Sequence, residues 1–516
     1  MMVRCLILAA FCASIAVSST SRSNDAAKKL RSSAIERAKA GDCKGAIKFY
    51  KDLLALLDGH VQDDFNNLGV CLQQEARYEE ALEVYNNGLE RYYHSEKLHY
   101  NKGALLEEWA AKDAISRNYE WTKEIDDRSY NSTQHLTFAL RLKLGALHEK
   151  HAHRIPAQNR IGLGKLTVAI FCHRRDDAPE GSPDAPVFGT RAQDTDGLQP
   201  AGHEEAIPFL ARHLVALGFN VEVYANVRDS EAGMDAHGVM WRPFYAVHAL
   251  LPPARNETHV MWPKHPTEPM PDIFIAWASV EAAALFNVTH DFFAATKKRP
   301  PAAFAWLPEP VLRLAALSPR LLPHIHGVIV PGSFHAALVA ERARGCIVGT
   351  VEAVEQEAPH TVRQTNSSHT RLAYVGPPNA GLLLLLELWP SIRDGVAQVC
   401  GKAATLHAVH GFPPDVRAGL QGAAWFEQLS ARLEPLLQQQ GVKNLGTVSH
   451  RKLSRLLSTA GFLLLPTSRS DTTWSAVIKG MMMGAVPITS RHVLSSLNET
   501  CGPFDLGPPP PAGPGG

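Results

Sequence analysis

The apolar positions of this chain recur in two rhythms. Over residues 27–125 they fall three and four apart, which predicts amphipathic helices throughout. The same stretch repeats itself. "AGDCKGAIKFYKDLL" (Ala40–Leu54) aligns with "EARYEEALEVYNNGL" (Glu75–Leu89), so Ala46 and Ala81 stand 35 residues apart, as do Tyr50 and Tyr85. "FNNLG" (Phe65–Gly69) and "HYNKG" (His99–Gly103) form a second pair, 34 apart.

From Lys165 the rhythm changes to short apolar runs, each followed by helical spacing. "KLTVAIFC" predicts a buried strand, and a loop rich in Pro, Gly and Asp runs from His173 to Ala201. "HEEAIPFLARHLVALGFNVEVYANV" (His203–Val227) then reads as helix, stop at Gly218, and strand. Further strand-like runs are Asp272–Trp277, Ala302–Trp306 and Gly327–Val330. A second series opens at "RLAYVG" (Arg371–Gly376), continues through "TLHAVHGF", a helix around Glu427–Gln439 and "NLGTVS", and ends at "GFLLLPTSRSDTTWSAVIKGMMMGAVPITS" (Gly461–Ser490). Strand alternating with helix implies parallel sheets covered on both faces. The predicted fold class is therefore α/β, two Rossmann-like doubly wound domains (165–355 and 370–507) behind an all-α region (27–150). The junction between the two is loop-rich, Ala353–His369. Ligands of such sheets bind at the carboxyl ends of the strands, and a tandem pair offers the cleft between its domains.

Composition narrows the class. The chain has 516 residues, 45% hydrophobic and 20% charged, enough for about three globular domains. Lysine plus arginine (52) nearly cancels aspartate plus glutamate (51), so no global field points to nucleic acid or an anionic membrane. Residues 1–23 carry an early cation, Arg4, and an apolar run from Cys5 to Val17. That run is shorter than the ~20 residues a membrane span needs and reads as a signal peptide, with a transit peptide as the alternative. Sequons at Asn131, Asn256, Asn287, Asn366 and Asn498 fit a route through the secretory pathway as a glycoprotein. Eight cysteines are scattered without a CxxC pair, which is neither a zinc site nor a dense disulfide scaffold.

Two family resemblances follow from these segments. The helical repeat resembles tetratricopeptide repeats, about two and a half of them, which implies a concave surface for a protein partner. "AGHEEAIPFLARHLVALGFNVEVYANV", "FIAWASVEAAALF", "AFAWLPEPV", "AYVGPPNAGLLLLLELWPSIRD" and "NLGTVSHRKLSRLLSTAGFLLLPTSRSDTTWSAVIKGMMMGAVPITSR" resemble retaining GT-B glycosyltransferases over roughly residues 165–507. The resemblance implies transfer of a hexosyl or related sugar from a nucleotide-sugar donor to a glycan or protein acceptor. It implies no metal and no cofactor besides the donor.

Carried onto this sequence, the resemblance makes Asp471 and Lys479 the catalytic pair. Arg469, Ser470, Thr472, Thr473, Gly376 and Arg491 become donor-binding residues, and Gly202, Glu204, Glu205 and Glu309 line the cleft from the first domain. Physical chemistry agrees in part: N–H groups at a helix N-terminus bind a diphosphate, and the dipole favours it. Ser470, Asp471, Thr472 and Thr473 are equally good N-cap residues, which leaves Asp471 open to reading as a plain cap. Eight residues separate Asp471 from Lys479, about 80° around a helix and ~12 Å along it, so the two would contact opposite ends of a bound nucleotide-sugar. Most relatives carry glutamate where this chain has Lys479.

The chain also departs from the family. "GPPNAG" (Gly376–Gly381) holds no basic residue to neutralise a leaving diphosphate, and Ala380 stands where relatives place arginine or lysine. Ala201 and His203 replace the usual glycine and serine, and Pro308-Glu309 replaces a His-Asp or Gln-Asp. The sequence ends in a Pro/Gly tail (508–516), so the second domain reads as incomplete. These departures keep a second reading in view, an inactive GT-B and repeat scaffold that binds a protein partner. A third, an inverting peptide O-glycosyltransferase, also joins such repeats to a GT-B body, but the Asp471-to-Lys479 signature belongs to the retaining group. "DTD" (Asp194–Asp196) lacks the preceding strand a metal motif needs, "GLGK" (Gly162–Lys165) precedes a strand rather than following one, and no GxSxG appears.

Overall fold

The computed structural model describes residues 25–56, 61–117, 122–151, 166–172, 206–227, 231–252, 269–308, 317–330, 336–337, 339, 347–349, 368–411, 424–448, 450–467 and 475–489. The chain divides into two compact units, Met1–Lys143 and Leu144–Gly516. The expected leader (1–23) and tail (508–516) lie outside the described residues.

The first unit is helical. Its elements are α1 (25–39), α2 (Cys43–Leu54), α3 (Gln62–Gln74), α4 (Tyr78–Arg91), α5 (Glu96–Ser116) and the start of α6 (Lys123–His151). Asp42 starts α2 by accepting a hydrogen bond from the Gly45 N–H at 2.8 Å, the usual role of an N-cap carboxylate. Successive helices pack together, α2 on α3, α3 on α4 and α4 on α5. The repeat seen in the sequence is the core of this stack: Ala46, Ala81, Tyr50 and Tyr85 are all buried. At Gly69 any Cβ would lie 2.4 Å from the Tyr85 ring, so only glycine lets α3 approach α4. Polar bonds at near-repeat spacing add register, with Asn101 donating to Asn66 (2.7 Å) and Gln73 to Glu108 (2.6 Å). The buried Asp64 carboxylate takes both Arg31 Nε (2.6 Å) and Nη2 (2.7 Å), and also caps Val61 N–H at 2.8 Å. A charge so deeply placed is tolerable because all its partners are supplied.

The second unit holds two sheets. The larger contains β1 (Thr167–Cys172), β2 (Asn220–Ala225), β3 (Gly233–Met234), β4 (Val239–Pro243), β5 (Ile273–Trp277), β6 (Ala302–Trp306), β7 (Gly327–Val330) and β8 (Ile347–Gly349). Their order is β3-β4-β2-β1-β5-β6-β7-β8, and every pairing is parallel except β3 with β4. Helix α7 (Ala206–Ala216) connects β1 to β2, and α8 (Val280–Asn287) and α9 (His290–Ala295) connect β5 to β6. β1 is buried along its whole length, as a central parallel strand must be.

The smaller sheet contains β9 (Ser368–Gly376), β10 (Thr405–His410), β11 (Val442–Gly446), β12 (Ala460–Leu465) and β13 (Val486–Thr489), in the order β11-β10-β9-β12-β13 and wholly parallel. Its helices are α10 (Leu382–Cys400), α11 (Ala424–Leu436), α12 (His450–Thr459) and α13 (Ser475–Met482). Trp389 of α10 is fully buried, and its indole N–H donates to the Gln440 carbonyl at 2.9 Å. Gly480 lets α13 lie on β12, because a Cβ there would meet Leu463 at 2.8 Å.

The α/β class expected from the alternation is the class observed. Some boundaries moved. β9 begins at Ser368, inside the segment expected to be a junction, and α11 spans Ala424–Leu436 rather than Glu427–Gln439. β4 was not expected from the sequence. Its Arg242 and Pro243 break the apolar pattern, yet Arg242 is fully buried, 3.9 Å from Glu222 of β2.

Candidate functional site

Strand order locates the candidate site. In the smaller sheet the chain lays down β9, adds β10 and β11 on one side, then crosses to add β12 and β13 on the other. The connections leaving β9 and β12 therefore diverge, and between their carboxyl ends lies the crevice where doubly wound sheets bind ligands. β1 and β5 make the corresponding switch in the larger sheet.

The loop after β9 is tightly held. Tyr374, buried in the strand, donates from its hydroxyl to the Pro377 carbonyl at 2.7 Å, and the Ala380 carbonyl lies 3.3 Å from the same oxygen. Burial pushes its phenol far above the ordinary tyrosine range, so it stays protonated and donating. Ala380 N–H closes a turn onto the Pro377 carbonyl at 3.0 Å. Gly381 then takes a left-handed conformation (φ 92°) and starts α10. A Cβ on Gly381 would sit 2.0 Å from the Pro466 carbonyl oxygen, just past the end of β12. The two diverging connections thus touch backbone to backbone. At the start of α10 the first N–H groups have no partner within the helix, the arrangement that attracts anions.

On the other side of β9, β10 ends at His410, in register with Gly376. Its Nε2 lies 2.9 Å from Asn444 Oδ1, which also accepts the Gly446 N–H at 3.1 Å. Since that oxygen accepts from an amide, His410 must donate, which fixes its Nε2–H tautomer. Burial holds this imidazole below its ordinary range, and the Asn444 bond opposes the shift in part. At neutral pH His410 is accordingly an uncharged donor at the carboxyl edge. Sequence reasoning did not single out His410, Asn444 or Tyr374. The available signal was position: His410 closes a strand immediately before Gly411.

Of the residues singled out from the sequence, two are placed. Gly376 closes β9 beside the crevice. Lys479 is half-buried on α13, about 6 Å along the helix from its first residue. Arg469, Ser470, Asp471, Thr472 and Thr473 belong to the connection between β12 and α13, which starts at the carboxyl end of β12. They lie outside the described residues, as does Arg491. Gly202, Glu204 and Glu205, in the connection from β1 to α7, and Glu309, after β6, also lie outside them.

At the switch of the larger sheet, Ala278 follows β5 with φ 54°, unusual for a residue with a side chain, and its N–H donates to the Trp306 carbonyl at 2.6 Å. Ser279 next caps α8 by accepting from the Ala282 N–H at 3.1 Å. Among the described residues no group of three or more His, Cys, Asp or Glu is arranged to hold a metal. Likewise, no described helix is long and apolar enough to cross a membrane.

No family model matches the chain, and no curated protein matches it. Solved structures do align with it. A mutant O-GlcNAc transferase of Thermobaculum terrenum aligns at 14% identity over 93% of this chain and 86% of that one, with a TM-score of 0.30. Anabaena HepE, solved with UDP and glucose, aligns at 11% identity over 63% and 81%, with a TM-score of 0.39. The trehalose 6-phosphate synthase of Burkholderia multivorans aligns at 12% identity over 65% and 85%, with a TM-score of 0.38. At these scores the likeness carries no argument about this chain's activity.

Proposed function

We propose that this chain is a retaining glycosyltransferase of the GT-B kind that takes a nucleotide-sugar donor in the crevice of its smaller sheet. The observation that carries this reading is the switch between β9 and β12. The connection leaving β12 there carries the sequence "SRSDTTW" (Ser468–Trp474). Asp471 would hold sugar hydroxyls, while Thr472 and Thr473, in the connection ahead of α13, would receive the diphosphate. Arg469, Arg491 and Lys479 are the cations available to offset charge developing on the leaving group, since the loop after β9 has none. The α10 N-terminus, held against Pro466, adds N–H donors to the same crevice. His410, uncharged and donating, would meet the nucleotide rather than a phosphate. The family's favoured route attacks from the face that the nucleotide leaves, and needs no metal.

The acceptor is a glycan or a protein. In this reading the helical unit is a set of tetratricopeptide repeats that brings the acceptor or a partner, and the chain works in the secretory pathway. The test is a thermal-shift panel of UDP, GDP and ADP on protein lacking residues 1–23. A ligand that binds only the folded state stabilises it by about 2.7 kcal/mol at a hundred times its Kd, and the midpoint rises accordingly. One nucleotide should shift the protein, and Asp471→Ala should lose turnover with the matching nucleotide-sugar while keeping the fold. Folded protein that responds to no nucleotide would replace this reading with the non-enzymatic scaffold.

A further inference from the structure

The helical unit contains a pair of thiols that the proposed transferase reaction does not use. Cys43 is the first residue of α2 and Cys71 lies in α3, and these two helices pack directly on each other. Both side chains are buried, 6% and 3% exposed, in one apolar cluster with Ala46, Leu68 and Leu72. Cys43 Sγ lies 2.7 Å from Gln74 Oε1. Gln74 is three residues after Cys71, so both occupy the same strip of α3, and the Cys43 sulfur sits over that strip. Cys43 is near enough to Cys71 to help hold its thiol protonated. The other described cysteines are placed differently: Cys172 is in the larger sheet and Cys400 is exposed at the end of α10.

We propose that Cys43 and Cys71 are the two halves of a disulfide that pins α2 to α3, formed by exchange with a low-molecular-weight disulfide such as oxidised glutathione. One cysteine, as its thiolate, attacks a sulfur of the oxidant and releases one equivalent of free thiol. The second cysteine then displaces the other equivalent from the mixed disulfide. The two protein sulfurs are oxidised, the two oxidant sulfurs are reduced, and both cysteine protons leave on the released thiols. Closing the chain between residues 43 and 71 restricts the unfolded state, so the bond stabilises the helical unit.

The environment also dictates when the bond forms. Burial pushes the Cys71 thiol well above its ordinary range, and the neighbouring Cys43 adds to the shift. The folded chain therefore offers little thiolate, and little access to the oxidant. The bond forms while the helices are still assembling, or through their opening, and is slow to form or break once they are packed.

The experiment uses the full chain. Reduced, unfolded protein is refolded in glutathione buffers of graded ratio, quenched with acid and digested with trypsin without reduction. The expected product is Ala40–Lys44 joined to Asp52–Arg77, two hydrogens lighter than the separate peptides. It should persist at ratios that strip glutathione from the exposed Cys400. The bonded protein should melt several degrees above the reduced form, and a Cys43→Ser, Cys71→Ser double variant should lose that redox dependence. Free Cys43 and Cys71 in a buffer that glutathionylates Cys400 would overturn the proposal, as would pairing of either with another cysteine. Because the first measurement needs no variant and no nucleotide, its outcome is independent of the glycosyltransferase reading.

Discussion

Replacing Gly381 with alanine should pull apart the two connections that frame the crevice. Gly381 has φ 92°, where a residue with a Cβ costs about 1–2 kcal/mol. The added Cβ would also lie 2.0 Å from the Pro466 carbonyl oxygen and 2.6 Å from its carbon. Both are backbone atoms, so no side chain can rotate away, and either the loop or the end of β12 must move. Overpacking of that kind costs about 1–3 kcal/mol, giving a total of about 2–5 kcal/mol. Gly395 supplies the control within the same helix. It is exposed and a Cβ there meets nothing within 4 Å, so Gly395→Ala should instead stabilise α10 by about 0.5–1 kcal/mol. Hydrogen exchange of the amides in residues 372–386 and 460–467 reads the local effect. A loss of ~3 kcal/mol is roughly a hundredfold in the opening equilibrium. Gly381→Ala should show such deprotection, and any nucleotide shift seen in the parent protein should weaken with it. Wild-type protection in Gly381→Ala would mean that the contact between the loop and β12 does not hold the crevice, and the argument from close approach would fall.

Two further predictions concern the helical unit. His99 Nε2 faces the Tyr93 carbonyl at 2.7 Å, so it carries the proton there, and His99 Nδ1 must accept from His135 Nδ1 at 2.8 Å. Burial, with the nearby Lys102, holds His99 at about 4 and His135 at about 3, and His94 also presses His99 down. Both are then neutral when folded and titrate near 6.5 when unfolded, so the unfolded state binds more protons between those values. Their contribution is complete above pH 6.5 and is lost on acidification toward pH 3–4, about 3 kcal/mol from the buried His99 with a smaller addition from the partly exposed His135. Urea midpoints at pH 7.5 and 4.5, compared between the wild type and His135→Gln, check this, and a pH dependence equal in both would refute it. Tyr85 is fully buried with its hydroxyl unbonded, so Tyr85→Phe removes an unsatisfied polar group and should raise stability by about 1 kcal/mol. A lower midpoint for Tyr85→Phe would show that the hydroxyl has a partner.

Properties that depend on near neighbours in the chain were already legible in the sequence. Helical spacing before Lys165 and strand–helix alternation after it follow from which side of each element must meet a core, and that is a local pattern. The 35-residue recurrence of Ala46 and Tyr50 at Ala81 and Tyr85 is the same in the sequence and in the packed stack, because each repeat buries the same positions. The sequence also put Gly376 at a strand end and Lys479 on the helix after the last long apolar strand, β12. Tertiary structure decided what depends on partners far along the chain. Nothing local in "RLAYVG" tells that β9 lies between β10 and β12, yet that order creates the crevice. Gly381 reads as an ordinary helix start until Pro466, 85 residues on, is seen to press against it. β4 escaped notice because Arg242 is polar, and only its burial near Glu222 shows why a strand accepts it. Cys43 and Cys71 looked scattered among eight cysteines, since a one-dimensional spacing says nothing about which side chains two packed helices bring into contact.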